Sequence, residues 1–354
     1  MSVAWRLLDY SFQDPFMNLA FEETLLRGRV EGESPDTLRL WQHPPVVSVG
    51  CYQNPKEEVD LEKCKQYGIK IIKRLSPGGS LYIDEGSLQY SLALDRNSIS
   101  LPEKIEDSYS IFSNGVIETL SFFGIHAEFK PINDIVVNRR KISGASQSRM
   151  YNGILHHGTI SINTRLDILE QVLKPSEIKL RAQGFQKLRD RVTTLNQEIG
   201  KIIPINIFKE ELIKSFQKTL NTNFEKGSPT TWEMKMAERL YNEKYKRLEW
   251  IYSETEKNFD ILSNYRIAKG VIKISLSIDD DRIKDLNISG DFIIHPEQAI
   301  SKLEENLKGE FLIEENLIKR IKETFSTYGI QALGANEEDF AKAIMLAYLG
   351  SNFK

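Results

Sequence analysis

From the start of the chain to about residue 165, short apolar or alternating runs are separated by turn signals: TLRLWQH (37–43), VVSVG (46–50), IKIIKRL (69–75), LQYSLAL (88–94), DIVVN (134–138) and GILHHGTISIN (153–163). These runs predict strands, because β-branched and aromatic side chains pack well on a pleated surface. Between them, NLAFEETLLRGRV after Asp14-Pro15 and KIEDSYSIFSNGVIETLSFFG repeat apolar residues at three- and four-residue spacing, the pattern of a helix with one buried face. Strands and helices do not alternate regularly, so the expected class is α+β rather than a parallel βαβ array.

Residues 166–250 read as mostly helical, with IFKEELIKSFQKTL and TWEMKMAERLYNEKYKRLEW as the clearest segments. Met234, Ala237 and Leu240 share a helical face there and are expected in the core. After Glu254 the pattern changes. NYRIAKGVIKISLSI and DDDRIKDLNISGDF read as two strand-like runs joined by an acidic turn, followed by helices near 296–307, 314–328 and 336–348. Two domains are expected, a larger one over 1–254 and a smaller α+β one over 255–354.

Composition narrows the functional classes. The 354 residues are 40% apolar and 27% charged with a formal net charge of -3, so a sizeable core is expected and no global basic field points to nucleic acid. Two cysteines, Cys51 and Cys64, cannot build a disulfide framework or a four-thiolate zinc site and suit a reducing compartment, with the cytoplasm expected. No stretch approaches the roughly 20 apolar residues of a membrane span, so no membrane partner is expected.

Two segments carry candidate chemistry. In KRLSPGGSLYIDEGSLQYSLAL (73–94) a basic pair enters a Pro-Gly-Gly turn, where Gly78 and Gly79 let a ligand approach the main chain. Alone, that turn also fits an ordinary hairpin. In NDIVVNRRKISGASQSRMYNGILHHGTISIN (133–163), Asn133 and Asp134 precede a strand, then Arg139, Arg140 and Lys141, a Ser-Gly-Ala-Ser run and a His-His-Gly-Thr. This mixture is rich in groups that bind phosphate and metal.

If DIVVN and KISGA pair as strands, simple alternation predicts Lys141, Ser143 and Ala145 on one face, with Ile142 and Gly144 on the other. A lysine suits a site where a carboxylate attacks an α-phosphate, and Asp134 is the nearest candidate to hold Mg²⁺. Arg139 and Arg140 read as an exposed hairpin tip. His156 and His157 should point to opposite faces, which argues against a zinc site. There is no GxxxxGK[ST] loop, G-x-S-x-G elbow or HExxH helix, so P-loop, α/β-hydrolase and zincin readings lack support.

Together the two segments resemble the lipoate-protein ligase family of the biotin and lipoate ligase superfamily. Its Arg-x-Ser-Gly-Gly-Gly loop is matched by Arg74, Ser76, Gly78 and Gly79, continuing through Tyr82, Asp84, Gly86, Leu88, Tyr90 and Ser91. Its Asn-Asp and Lys-[IV]-Ser-Gly-x-x-Gln are matched by Asn133, Asp134, Lys141, Ile142, Ser143, Gly144 and Gln147, with His156, His157, Gly158 and Thr159 after them. FMNLAFEETLL, VVSVGCYQNPKEEVDLEKC and RDRVTTL extend the resemblance across most of residues 1–250, and the last hundred residues resemble the accessory domain of such ligases. Pro77 stands where the family usually has the first loop glycine and Ile83 where it has histidine. Ser87 and Gln89 replace asparagines in the next strand, leaving that wall chemically different.

The resemblance implies a mixed sheet core with flanking helices and a two-step reaction. Lipoate and MgATP give lipoyl-adenylate and pyrophosphate, and a lysine of a lipoyl-domain protein, such as a 2-oxoacid dehydrogenase E2 or glycine cleavage H protein, then attacks the mixed anhydride. It assigns Lys141 as catalytic, and Arg74, Ser76, Gly78, Gly79, His157, Gly158 and Thr159 to lipoate. It assigns Gly78, Gly79, Tyr82, Asn133, Asp134, Lys141, Ser143 and Gly144 to ATP, and Asp134 to Mg²⁺. The competing readings are an ATP-independent octanoyl or lipoyl transferase, which needs a cysteine nucleophile, and a non-catalytic homologue that binds ligand or acceptor.

Overall fold

The computed structural model describes residues 5–98, 101–102, 104–150, 152–174, 187–252 and 259–351. The expected domain boundary at 254/255 lies outside the described residues. The chain divides into two compact units: 1–49, 55–75 and 80–251 form one, while 50–54, 76–79 and 252–354 form the other. Two short pieces from within the expected larger domain thus group with the C-terminal part.

The first unit is built on an eight-stranded mixed sheet. Its strands are β1 (Trp5–Asp9), β2 (Thr37–Trp41), β6 (Ser87–Asp95), β7 (Glu128–Lys130), β8 (Asp134–Val137), β9 (Arg140–Met150), β10 (Gly153–Ser161) and β11 (Phe224–Lys226). They lie in the order β11-β1-β2-β6-β10-β9-β8-β7. A separate three-stranded sheet, β4-β3-β5, comprises β3 (Val46–Val49), β4 (Lys70–Lys73) and β5 (Leu81–Ile83).

Alternation along β6 divides the main sheet into two environments. Leu88, Tyr90, Leu92 and Leu94 enter an apolar cluster with Phe112, Val116 and Leu120 of α2 (Ile105–Phe122) and Phe208, Leu212 and Phe216 of α3 (Ile205–Leu220). Ser87, Gln89, Ser91 and Ala93 occupy the other face, which is also buried. There α1 (Pro15–Glu31) packs against β6 and β10. Asp14 caps α1 by accepting from the Phe16 amide, Pro15 opens it without losing a helical hydrogen bond, and Gly32 closes it with φ 79°. Few of its positions reach water, so its Glu22 and Glu23 are buried carboxylates.

The described residues of the segment over 166–250 are mainly helical as expected, but β11 interrupts them. In α4 (Thr231–Leu240), opened by a Thr230 and Glu233 capping box, Ala237 and Leu240 are buried while Met234 is 37% exposed. Shared helical spacing overstated the width of the apolar stripe.

In the second unit, β12 (Ile261–Ile267), β13 (Gly270–Asp279) and β14 (Arg282–Asp291) form an antiparallel meander. The first run, expected as one strand, is therefore two, because Gly270 at φ 126° allows a tight reversal after Ala268 and Lys269. Asp280 and Asp281, at φ 47° and 57°, make the expected exposed acidic turn. The meander shares an apolar cluster with α5 (Ala299–Leu307), α6 (Glu314–Tyr328) and α7 (Glu337–Ser351). A short pair, β15 (Ile293–His295) with β16 (Gln331–Leu333), completes the unit. Among the described residues, no helix is long and apolar enough to cross a membrane.

Candidate active site

The hairpin of β8 and β9 turns through Asn138 and Arg139, both at positive φ, as a two-residue turn matching strand twist requires. Arg139 is exposed at the tip as expected. Arg140 is instead anchored: its guanidinium donates to Glu198 at 2.7 Å, and Thr193 Oγ1 donates to the same carboxylate at 2.6 Å.

One step beyond the turn, the register shifts. Ile135 faces Ser143 and Val136 faces Lys141, so Ile142 is an extra, bulged residue. The bulge overturns simple alternation. Ser143 pairs with Ile135 and Ile160 on the side of the apolar cluster, where its Oγ is buried and has no hydrogen-bond partner among the described residues. Lys141 instead shares the opposite face with Gly144, and a Cβ on Gly144 would overlap the Lys141 ammonium. The expected pairing of Lys141 with Ser143 is therefore replaced by Lys141 with Gly144.

Lys141 Nζ lies 2.6 Å from Asp134 Oδ1, and Arg191 approaches Asp134 Oδ2 at 3.6 Å. The carboxylate is buried while the ammonium is 32% exposed, so a fixed anion holds a cation that still reaches solvent. Thr193 N–H donates to the Lys141 carbonyl at 2.9 Å, securing the RDRVTTL segment beside it. Asn133 is clipped to the main chain of Ala145: its Nδ2 donates to the Ala145 carbonyl at 2.6 Å, and its own carbonyl accepts from the Ala145 amide at 3.0 Å.

Strand register carries this centre across the sheet. Asp134 pairs with Gly144, Gly144 with Thr159, Thr159 with Gln89 and Gln89 with Trp41, all on one face. The adjacent row runs Ser146, His157, Ser91 and Arg39. His157 Nδ1 lies 2.9 Å from Glu22 Oε1. Arg39, fully buried, donates to the Tyr10 and Asn18 carbonyls and to Asn18 Oδ1, and lies over the Trp41 ring at 4.4 Å. Burial pushes its guanidinium down to about 9, with Glu22 opposing the shift, so it stays cationic at neutral pH.

The two histidines do point to opposite faces. His156 is enclosed by Tyr90, Tyr109 and Phe112, and burial followed by the charges of His157 and Arg149 drives its imidazolium far below the ordinary range. It is a neutral core residue, hydrogen-bonded to Gln147 Nε2 at 3.1 Å. Gly158 lies on the same side as His156, where a Cβ would approach the Tyr90 ring to 2.6 Å. Its smallness serves the core.

Other expected site residues have these local surroundings. Tyr82 packs in the cluster of Val47, Val49 and Ile168. Its hydroxyl is held un-ionised by burial and by neighbouring Asp84. Arg74 directly follows β4 and donates to the Ser48 carbonyl at 3.3 Å. Ser76, Gly78 and Gly79 belong to the second unit: the Ser76 carbonyl accepts from the Cys51 amide at 3.1 Å, and Gly78 adopts φ 99°. A Cβ on Gly79 would lie 3.0 Å from Asp291 Oδ2.

For a resident metal the donor set is thin. Asp134 is one carboxylate already paired with two cations, and among the described residues no group of three or more His, Cys, Asp or Glu comes together. Mg²⁺ commonly binds through one or two carboxylates plus substrate phosphates, so this arrangement suits an ion delivered with a nucleotide rather than one caged by the protein.

Sequence reading missed Glu22, Arg39, Trp41 and Arg191. Arg191 had a signal in RDRVTTL. Glu22 lay within FMNLAFEETLL, but its pairing with His157, 135 positions away, left no local signal.

Residues 14–217 match the family described as the lipoyl protein ligase A/B catalytic domain, and residues 256–344 match the bacterial lipoate protein ligase C-terminus. The chain is 29% identical to lipoate–protein ligase 1 of Staphylococcus aureus, covering 79% of this chain and 82% of that one. It is 28% identical to the octanoyltransferase LipM of Anoxybacillus flavithermus, covering 70% and 97%. Among solved structures, a lipoate-protein ligase A bound with ATP superposes with a TM-score of 0.63 at 27% identity, over 71% of this chain and 99% of that one. A bipartite lipoate protein ligase described with its E2 lipoyl domain, from Thermoplasma acidophilum, gives 0.64 at 28%, over 72% and 99%. LipL1 of P. falciparum shares the fold across 98% of this chain and 99% of its own, with a TM-score of 0.72 at 21% identity.

Proposed function

Because the chain belongs to the lipoyl protein ligase A/B catalytic-domain family, we propose that it is an ATP-dependent lipoate-protein ligase acting on lipoyl-domain acceptors. The observation that carries this reading is the Lys141 ammonium, held by buried Asp134 yet open to solvent on the face that continues through Thr159.

In the first step a lipoate carboxylate oxygen attacks the α-phosphorus of MgATP, and the bond to the leaving pyrophosphate breaks. Negative charge is carried by both reactants, so the attack needs a cation that can follow it from carboxylate to phosphate. Lys141 supplies that point charge, and Asp134 fixes its position before substrate arrives. Arg191 adds a second positive group at the same carboxylate. In the second step the neutral amine of an acceptor lysine attacks the acyl carbon, forming the amide as AMP departs. Lys141 and Arg191 then face the departing phosphate. Mg²⁺ is part of the nucleotide substrate in this scheme and would offset polyphosphate charge.

The Thermoplasma ligase, described together with its E2 lipoyl domain, supports a lipoyl domain as acceptor. The relative that is an octanoyltransferase favours a second reading, direct acyl transfer through an enzyme thioester. Against it, Cys64 is buried among Val47, Val59 and Ile69, and burial followed by Asp60 pushes its thiol up to about 11. So little thiolate at neutral pH makes a poor nucleophile.

The deciding experiment incubates the protein with an acceptor domain and either lipoate plus MgATP or an octanoyl carrier thioester, and weighs the acceptor by mass spectrometry. A lipoyl mass increment that requires ATP is expected. Modification from the thioester alone would establish the transferase, and an unmodified acceptor in both arms would leave a binding protein.

A further inference from the structure

Two donors on the site's row of residues are buried without a hydrogen-bond partner among the described residues. Thr159 Oγ1 donates to Gln89 Oε1 at 2.6 Å, which fixes the amide and leaves Gln89 Nε2 unpaired. Directly opposite in the register, the indole Nε1 of Trp41 is also buried and unpaired. Gln89 is 4% exposed and Trp41 2%, so bulk solvent does not reach either group. Unsatisfied buried donors are rare in folded proteins and call for a reason.

Their place on the sheet supplies one. The row begins at Gly144, beneath the Lys141 ammonium, and passes through Thr159 to Gln89. Adjacent strands lie about 4.8 Å apart, which puts Gln89 roughly 10 Å from Gly144 across two strand spacings. An extended carbon chain advances about 1.3 Å per bond, as three backbone bonds do over 3.8 Å, so an eight-carbon acid spans roughly 9 Å. An acid whose carboxylate meets Lys141 and whose chain follows this row would end at Gln89.

We infer that Gln89 selects the far end of the acyl chain, donating its free amide N–H to a sulfur of a dithiolane ring and discriminating against a chain that ends in methyl. The inference rests on Lys141 as the group that receives the substrate carboxylate. A thioether-like sulfur is a weak acceptor, whereas a terminal methyl accepts nothing and leaves the amide unpaired. A site that offers a polar group rejects the analogue unable to use it.

The test measures the affinities of lipoate and octanoate for the full chain by calorimetry, in the wild type and in Gln89→Met, a side chain of similar length without the donor. Wild type is expected to prefer lipoate, and the variant to lower the lipoate-to-octanoate affinity ratio on the order of tenfold, the worth of one neutral hydrogen bond. A general loss of structure would weaken both acids alike and leave the ratio unmoved. An unchanged ratio, a wild type without preference, or binding of neither acid overturns the inference. Should Gln89→Met not fold, Gln89→Asn withdraws the donor by one methylene and is expected to shift the ratio in the same direction. ATP-pyrophosphate exchange with each acid separates the two proposals. If the ratio depends on Gln89 but no exchange occurs, the ligase reading falls and the role of Gln89 stands.

Discussion

Lys141 Nζ and Asp134 Oδ1 lie 2.6 Å apart on strands whose register is shifted by one bulged residue, Ile142. Without that register shift, with Ile142 paired as a regular strand residue, alternation from Gly144 would turn the lysine away from the aspartate and toward the apolar cluster of Ile135 and Ile160. The pair also explains why a lysine a third exposed has a defined position: its anchor is buried, so solvent competes with only one partner. Its contribution to stability is small, as for other solvent-screened pairs. Its value lies in placing a charge.

Lys141→Ala should therefore fold normally and lose lipoate-dependent ATP-pyrophosphate exchange by on the order of 10²- to 10³-fold, the usual effect of removing one preorganised charge or donor from a reacting centre. Lys141→Arg should not restore it, because a planar guanidinium cannot occupy the compact position over Gly144. Exchange retained in the alanine variant would sink the mechanism.

Gly144 offers a test that leaves the lysine in place. A Cβ at this position would overlap the Lys141 Nζ and Cε and lie 3.5 Å from Asp134 Oδ1. The obstructed atoms are the end of a flexible side chain, so the ammonium shifts and the backbone stays. Gly144→Ala is expected to unfold within about 0.5 kcal/mol of wild type while losing on the order of 10²-fold in adenylate formation, as a misplacement of about 1 Å can cause. Wild-type kinetics in this variant would show that the lysine's position over Gly144 is irrelevant.

How much of this was legible beforehand depended on whether the determinant was local. The strand runs around Leu88–Leu94 and Gly153–Ser161 carry their own alternation, and α1 announces itself through Asp14-Pro15 and Gly32, so these elements were readable from neighbouring residues. Simple alternation failed at Ile142, because a bulge is set by pairing with β8 and leaves no mark in RRKISG itself. Met234 failed for a related reason: helical spacing gives a stripe, but only the packed partner decides how wide the stripe is. Glu22 beside His157 arises from the tertiary pairing of α1 with β10 and could not be found from spacing, whereas Arg39 and Trp41 share a face of β2 by strand alternation. The grouping of 50–54 and 76–79 with the second unit likewise has no local signal.

The cysteines discriminate between acyl-adenylate and acyl-thioester chemistry. Cys64, with its thiol raised to about 11, lies in the apolar cluster under the three-stranded sheet, and Cys51 lies in the 50–54 segment of the second unit. Cys64→Ser and Cys51→Ser are expected to keep ATP-dependent lipoylation within about threefold of wild type, since a ligase forms no bond to sulfur. Loss of acceptor modification in either variant, together with an acyl-enzyme mass adduct in the wild type, would move the protein to the transferase class.

Acid should destabilise the first unit through its buried histidines. Burial and the adjacent Arg39 lower the folded-state value of His43 to about 3, against about 6.5 in the unfolded chain. The unfolded state therefore takes up the proton first. The stability associated with neutral His43 is fully present above pH 6.5 and is lost progressively as pH falls from 6.5 toward 3. His156 is shifted in the same direction, again by burial first, and adds to the loss. Each such group contributes a slope of about 1.4 kcal/mol per pH unit once the pH is well below 6.5. Urea unfolding at pH 7.5, 6.0 and 5.0 should show wild-type stability falling with acid, and His43→Gln falling less steeply by about that amount per unit. The carboxylates that titrate near pH 5 are common to both proteins, so the difference between the two slopes isolates His43, and equal slopes would mean that its imidazole is not held neutral by the fold.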